Sequence, residues 1–259
     1  MNLVEIARAA AREARAGRSK LPADFSTEEA LSGVKGRALL NNLCGHPGIR
    51  LLEIGAYAGS TLASALCGNE IDAVAVDTWY EFIMPSERAS RVKRLFDERL
   101  ARYRGRSRVR VIERSIYLPE TAREIGRGIN LCFFDADHTT VATERSLLAV
   151  RDCLAYEFIL LVDDYAMIST QCGVARAIAA LGCEVLEWQV LGAHPTFDWY
   201  TPEGQRERED RDWWFNYLLA VLRKPGRGMA TSRFIKQVLP APALHLIRRI
   251  RTRKQATGP

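Results

Sequence analysis

Apolar runs of strand length alternate with helical patterns from residue 49 onward, and four of those runs finish at acids. The first, Ile49 to Ile54, carries Glu53. The run Ile71 to Val76 stops at Asp77, Ile129 to Phe134 at Asp135, and Phe158 to Val162 at Asp163 and Asp164. Near-continuous hydrophobicity without alternation is what a strand buried on both faces requires, so the pattern predicts a parallel sheet flanked by helices. Further strands are expected at 109–112, 184–191 and 214–222. Helices are expected at 60–66, 87–103, 119–125, 141–154 and 173–181. In open sheets of this kind ligands bind beyond the carboxyl ends of the strands, which is where the acids converge.

The remaining segments flank this core. Residues 1–47 read as a helical segment that either packs on the core or forms a lid. Leu3, Ile6, Ala7, Ala10 and Ala14 share one face, and Ser26 with Glu29 has the spacing of a capping box for a second helix running to about Gly45. The net charge of +6 is unevenly placed. From Arg233 onward there are seven Arg and Lys residues and no acid, and the rest carries 30 bases against 31 acids. The basic character thus belongs to an extension at 226–259, where Leu244, Ile247 and Ile250 among arginines suggest a short amphipathic helix able to touch an anionic membrane surface. Residues 198–212 are dense in charge and read as a solvated loop or a substrate flap. His46 reads as a loop residue and His194 as a pocket-lining one; Tyr80, Trp213 and Trp214 are read mainly as packing. Six scattered cysteines with no Cys-x-x-Cys pair read as reduced core residues. Charges interrupt the apolar positions of the N-terminus, unlike a signal peptide, so a cytoplasmic location is expected.

The turn after the first strand reads Gly55-Ala56-Tyr57-Ala58-Gly59-Ser60. Glycines let the backbone approach a ligand. A dinucleotide fingerprint needs a third glycine where Tyr57 stands, and Glu53 beside the turn would repel a phosphate while attracting a cationic amino-acid end. Asp77 closes the next strand and can accept hydrogen bonds from both hydroxyls of a ribose. Together they suit a nucleoside without phosphates. Trp79 and Tyr80, which follow Asp77, are read mainly as packing but could flank its base, and Thr78 and Trp79 are counted among the residues that bind the cofactor.

The ten residues from Leu51 to Ser60 closely resemble the first motif of the class I S-adenosylmethionine-dependent methyltransferases, and especially catechol O-methyltransferase. The resemblance spans roughly residues 48–222, the extent expected for one domain at 48–225. It implies a Rossmann-like, mostly parallel seven-stranded sheet with an antiparallel last strand. It also implies S-adenosylmethionine as cofactor, its methionine part in the turn and its ribose on Asp77, with Ser115 and Asp135 beside it.

Asp135, Asp163 and Asp164 end adjacent strands. Three hard carboxylates suit magnesium or another divalent cation, and without one they would raise each other's pKa values. His138 follows Asp135 by three residues. Histidine titrates near neutral pH and suits removal of a hydroxyl proton during methyl transfer. The pattern is similar to that of metal-dependent small-molecule O-methyltransferases of the catechol and caffeoyl-CoA types. Those carry Asn where this chain has Asp164 and a lysine base where it has His138. Macrocin-type sugar O-methyltransferases share Asp163-Asp164-Tyr165. The resemblance implies O-methylation of a small phenolic or sugar-like acceptor, with His138 and Asp135 as catalytic residues.

Alternatives remain open. A non-catalytic or metal-independent protein of the same fold could act as a partner. A dinucleotide oxidoreductase conflicts with Tyr57. A nucleic-acid methyltransferase would show an Asn/Asp-Pro-Pro-Tyr/Phe motif or a basic core face, and neither is present. The partners admitted are a small-molecule acceptor, a second copy of the chain, and a membrane surface met by the tail; no nucleic acid is expected.

Overall fold

The computed structural model describes residues 2–26, 28–79, 86–192, 213 and 216–225. The roles expected for Tyr80, His194, Trp214, the 198–212 stretch and the 226–259 extension fall outside these residues.

The described elements run α1 (Leu3–Arg15), α2 (Val34–Cys44), β1 (Arg50–Ile54), α3 (Ser60–Leu66), β2 (Asp72–Asp77), α4 (Ser86–Tyr103), β3 (Arg108–Glu113), α5 (Pro119–Ile125), β4 (Ile129–Phe134), α6 (Thr140–Ala149), β5 (Leu154–Val162), α7 (Ile168–Leu181), β6 (Glu184–Leu191) and β7 (Tyr217–Arg223). They build one seven-stranded sheet in the order β3-β2-β1-β4-β5-β7-β6. The pairs among β1 to β5 are parallel, and β7 runs antiparallel to both β5 and β6. This is the Rossmann-like sheet, antiparallel last strand included.

Strand residues alternate between two cores. Leu51, Ala73, Ala75, Leu131, Phe133, Ile159 and Leu161 face a layer that includes residues of α1, α2, α3 and α4. Leu52, Ile54, Val74, Val76, Cys132, Phe134, Leu160 and Val162 face residues of α5, α6 and α7. Burial on both faces explains the unbroken apolar runs in the sequence. The side chain of Asn2 caps α1 by accepting from Val4 and Glu5 N–H. Six α1 residues, Leu3 and Ala7 among them, are buried, so α1 packs on the sheet.

Some boundaries differ from expectation. Helix α2 starts at Val34 behind Gly33, well after Ser26. Ser26 and Glu29 form no capping box, because both side chains are drawn elsewhere. Ser26 Oγ accepts from Arg99, Glu29 accepts from Tyr57, and Glu29 has a φ of 50°, incompatible with a helix. Helix α6 stops at Ala149 and α7 begins five residues before Gly173. Strand β5 starts at Leu154, where its amide bonds the Val150 carbonyl and the register to β4 shifts.

Candidate active site

Strand winding reverses between β1 and β4, which lie side by side, so a crevice opens above their carboxyl ends. A ladder of backbone bonds levels that edge. Gly55 N–H donates to Val76 O, Asp135 N–H to Ile54 O, and Asp163 N–H to Phe134 O. The residues after four strands are thereby held in one row. The cleft above them has a volume of about 800 Å³ and is lined by Gly55, Ala56, Tyr57, Ser60, Asp77, Thr78, Trp79, Ser115, Asp135, His138, Asp163 and Asp164. Gly59 and Glu53 are not on its lining.

The turn is built tightly. Gly55 has a φ of 91°, and a Cβ there would overlap the Asp135 carbonyl oxygen. Gly59 begins α3 at φ 74°, against the ring of Phe96. Asp77 ties the turn to β2. Its Oδ2 accepts from Tyr57 N–H at 2.7 Å and its Oδ1 from Trp79 N–H at 2.8 Å. Each oxygen keeps a lone pair for a ligand. Trp79 is 4% exposed, donates its indole N–H to Tyr57 O at 2.8 Å, and meets Phe96 edge-on. Ser60 Oγ is buried without a protein partner. Among the described residues five non-glycines have positive φ, and four of them, Glu29, Tyr57, Trp79 and Asp164, line the cleft. Strained backbone of this kind clusters at functional sites.

Glu53 lies behind the turn, fully buried. Thr61 Oγ1 donates to its Oε1, while Oε2 has no partner. Burial raises its pKa to about 8, and Asp135 and Asp77 push the same way. A carboxyl in that state is largely neutral at pH 7 and acts from beneath the cleft rather than from its wall.

At the other end, His138 Nδ1 lies 3.4 Å from Asp164 Oδ2, and Nε2 lies 3.9 Å from Asp135 Oδ1. Nε2 is buried and unpartnered, and the ring meets Phe134 edge-on at 5.9 Å. Burial lowers the His138 pKa, against the pull of Asp164 and Asp137. Burial raises both Asp135 and Asp163, and their neighbouring carboxylates raise them further.

The three carboxylates do not gather as a cation site. Asp163 is 1% exposed, with Oδ1 accepting from Asp164 N–H at 2.7 Å and Oδ2 from the Tyr217 hydroxyl at 3.2 Å. Among the described residues no group of three His, Cys, Asp or Glu is arranged to hold a metal ion. The donor set as placed does not fit the expected magnesium. For S-adenosylmethionine the fit is better, since Ser60, whose hydroxyl has no protein partner, and Asp77 both line the cleft.

Ser115 and Thr78 lie on the lining. Trp213 packs against Tyr217, and His46 sits in the loop after α2. All six cysteines are free. The lining also includes residues that no sequence motif marks, among them Glu29, Leu31 and Ser32 from the connector before α2, Arg88 from α4, and Tyr117 with Ser146. Tyr117 follows Ser115 closely enough to be found from the strand pattern. Arg88 is one of many arginines on a charged helix and gives no local signal.

Residues 52–165 match the family described as a methyltransferase domain. No curated protein sequence matches the chain. Among solved structures, TrmN from Thermus thermophilus is similar at 15% identity and a TM-score of 0.47 over 74% of this chain and 48% of its own. The chain spans about half the length of TrmN. A putative RNA methyltransferase from Pyrococcus horikoshii has 12% identity and a TM-score of 0.47 over 86% and 98% of the two chains. An O-methyltransferase from Bacillus cereus, in complex with S-adenosylhomocysteine, has 15% identity and a TM-score of 0.45 over 85% and 91%. No membrane-crossing helix is present among the described residues. The segment 52–165, which supplies the turn and the acids ending β2, β4 and β5, is thus similar to a methyltransferase domain.

Proposed function

We propose that the chain is an S-adenosylmethionine-dependent O-methyltransferase acting on a small hydroxylated acceptor, phenolic or sugar-like. The supporting observation is that one cleft joins the Gly55–Ser60 turn and Asp77 to the His138–Asp164 pair. Bound there, S-adenosylmethionine supplies a methyl group on a positively charged sulfur. The Asp77 carboxylate holds the ribose hydroxyls. The acids along the strand ends favour a cation in the cleft. On the acceptor side, Asp164 holds the Nδ1 proton of His138, which leaves the Nε2 lone pair to take the hydroxyl proton as oxygen attacks. Lowered pKa keeps the imidazole neutral and ready for that proton. No step passes through a metal ion.

The test is methyl transfer from labelled S-adenosylmethionine to a panel of phenols and sugars. Activity on a hydroxyl is expected, and His138→Gln should lower kcat by about a hundredfold or more with S-adenosylhomocysteine affinity unchanged. Full activity in His138→Gln would remove the base role.

A further inference from the structure

Among the described residues, the cleft lining holds one pair of an arginine and a carboxylate facing each other. Glu29 Oε2 and Arg88 Nη2 are 3.3 Å apart, and both line the cavity. Tyr57 joins them, its hydroxyl donating to Glu29 Oε2 at 3.1 Å and accepting from Arg88 Nη2 at 3.1 Å. The other lining arginine, Arg114, is bound to Glu124 at 3.0 Å, and Glu124 is not on the lining. Tyr57 also reaches the opposite way, since its backbone N–H is bonded to Asp77. The charge pair therefore sits one tyrosine away from the candidate ribose anchor.

Two features argue against a casual surface contact. Glu29 adopts a φ of 50°, which a non-glycine residue holds only when its surroundings impose it. Its side chain is only 17% exposed. Against burial, which works the other way, Tyr57 and Arg88 hold its carboxyl below the ordinary value. The connector bearing Glu29 is itself pinned, with Arg99 donating to Glu28 O and Ser26 Oγ.

A paired carboxylate and guanidinium are complementary to a zwitterion. S-adenosylmethionine ends in one, with an ammonium and a carboxylate on a single carbon. We infer that Glu29 and Arg88 bind the amino-acid end of the cofactor, Glu29 taking the ammonium and Arg88 the carboxylate, while Tyr57 orients both. This rests on the cofactor reading above. It adds two specificity residues, both outside the Gly55–Ser60 turn, one of them from the segment before β1.

The experiment compares two ligands by calorimetry on the full chain. S-adenosylhomocysteine carries the zwitterion; 5′-methylthioadenosine keeps the nucleoside and the thioether but lacks it. Glu29→Gln and Arg88→Met should each weaken S-adenosylhomocysteine by about tenfold, as loss of a charged hydrogen bond implies. Binding of 5′-methylthioadenosine should stay within about twofold, which also shows that the variants are folded. Equal weakening of both ligands would make the pair a structural latch and overturn the assignment, as would unchanged S-adenosylhomocysteine affinity. Wild-type protein that binds neither ligand would overturn the cofactor reading itself; binding of only the nucleoside thioether would overturn this inference alone.

Discussion

The carbonyl oxygen of Asp135 occupies the space that a side chain on Gly55 would need. The Gly55–Ser60 turn and the loop that follows β4 are therefore packed backbone to backbone, with no room to adjust either. Gly55→Ala would force a left-handed φ on a residue with a Cβ and drive that atom into the Asp135 carbonyl just beyond β4. The expected loss is at least about 2 kcal/mol, together with loss of S-adenosylhomocysteine binding. Denaturant unfolding and calorimetry measure the two effects.

Glu53 links stability to pH. Its folded pKa of about 8 lies above the ordinary 4.5. A raised folded pKa contributes stability that is fully present below pH 4.5 and lost as pH rises through about 8. Glu53→Gln keeps an acceptor for Thr61 and removes the charge. Relative to wild type, the variant should gain Tm as pH rises from 5 to 9, by the equivalent of roughly a few kcal/mol. A pH-independent difference in Tm would show that Glu53 is not titrating in the buried site.

The strand ends were legible because strands buried on both faces are written as unbroken apolar runs that stop where the polar edge begins. Asp77, Asp135 and Asp163 fell out of that rule directly. What stayed hidden depends on partners far away in the chain. Ser26 and Glu29 look like a local cap, but Arg99 and Tyr57, 73 and 28 residues away, claim them. Asp163 looks like a metal ligand, but Tyr217, 54 residues on, bonds it. Glu53 sits between Leu52 and Ile54, a hint of burial that its position beside the glycine turn masks.

Tyr217 should matter beyond its packing against the Gly36 backbone. It is a donor to a carboxylate that is 1% exposed. Tyr217→Phe leaves Asp163 Oδ2 without that donor and should destabilise the fold by about 1–3 kcal/mol. Chemical denaturation measures it. A change below about 0.5 kcal/mol would mean that the bond contributes nothing net.

His138 sets an expectation for the rate profile. A base works in its unprotonated form, so kcat falls as pH drops through its pKa. Burial places that pKa below the ordinary 6.5. The acid limb of kcat should therefore lie below pH 6.5 and have unit slope. A limb centred above pH 7 would contradict a buried, neutral imidazole.

Calorimetric titration of the full chain with S-adenosylhomocysteine tests the central claim most directly. One ligand per chain is expected, with affinity lowered at least about tenfold by Asp77→Ala. Absence of binding, or binding that Asp77→Ala leaves unchanged, would contradict the assignment of this cleft to the methyl donor.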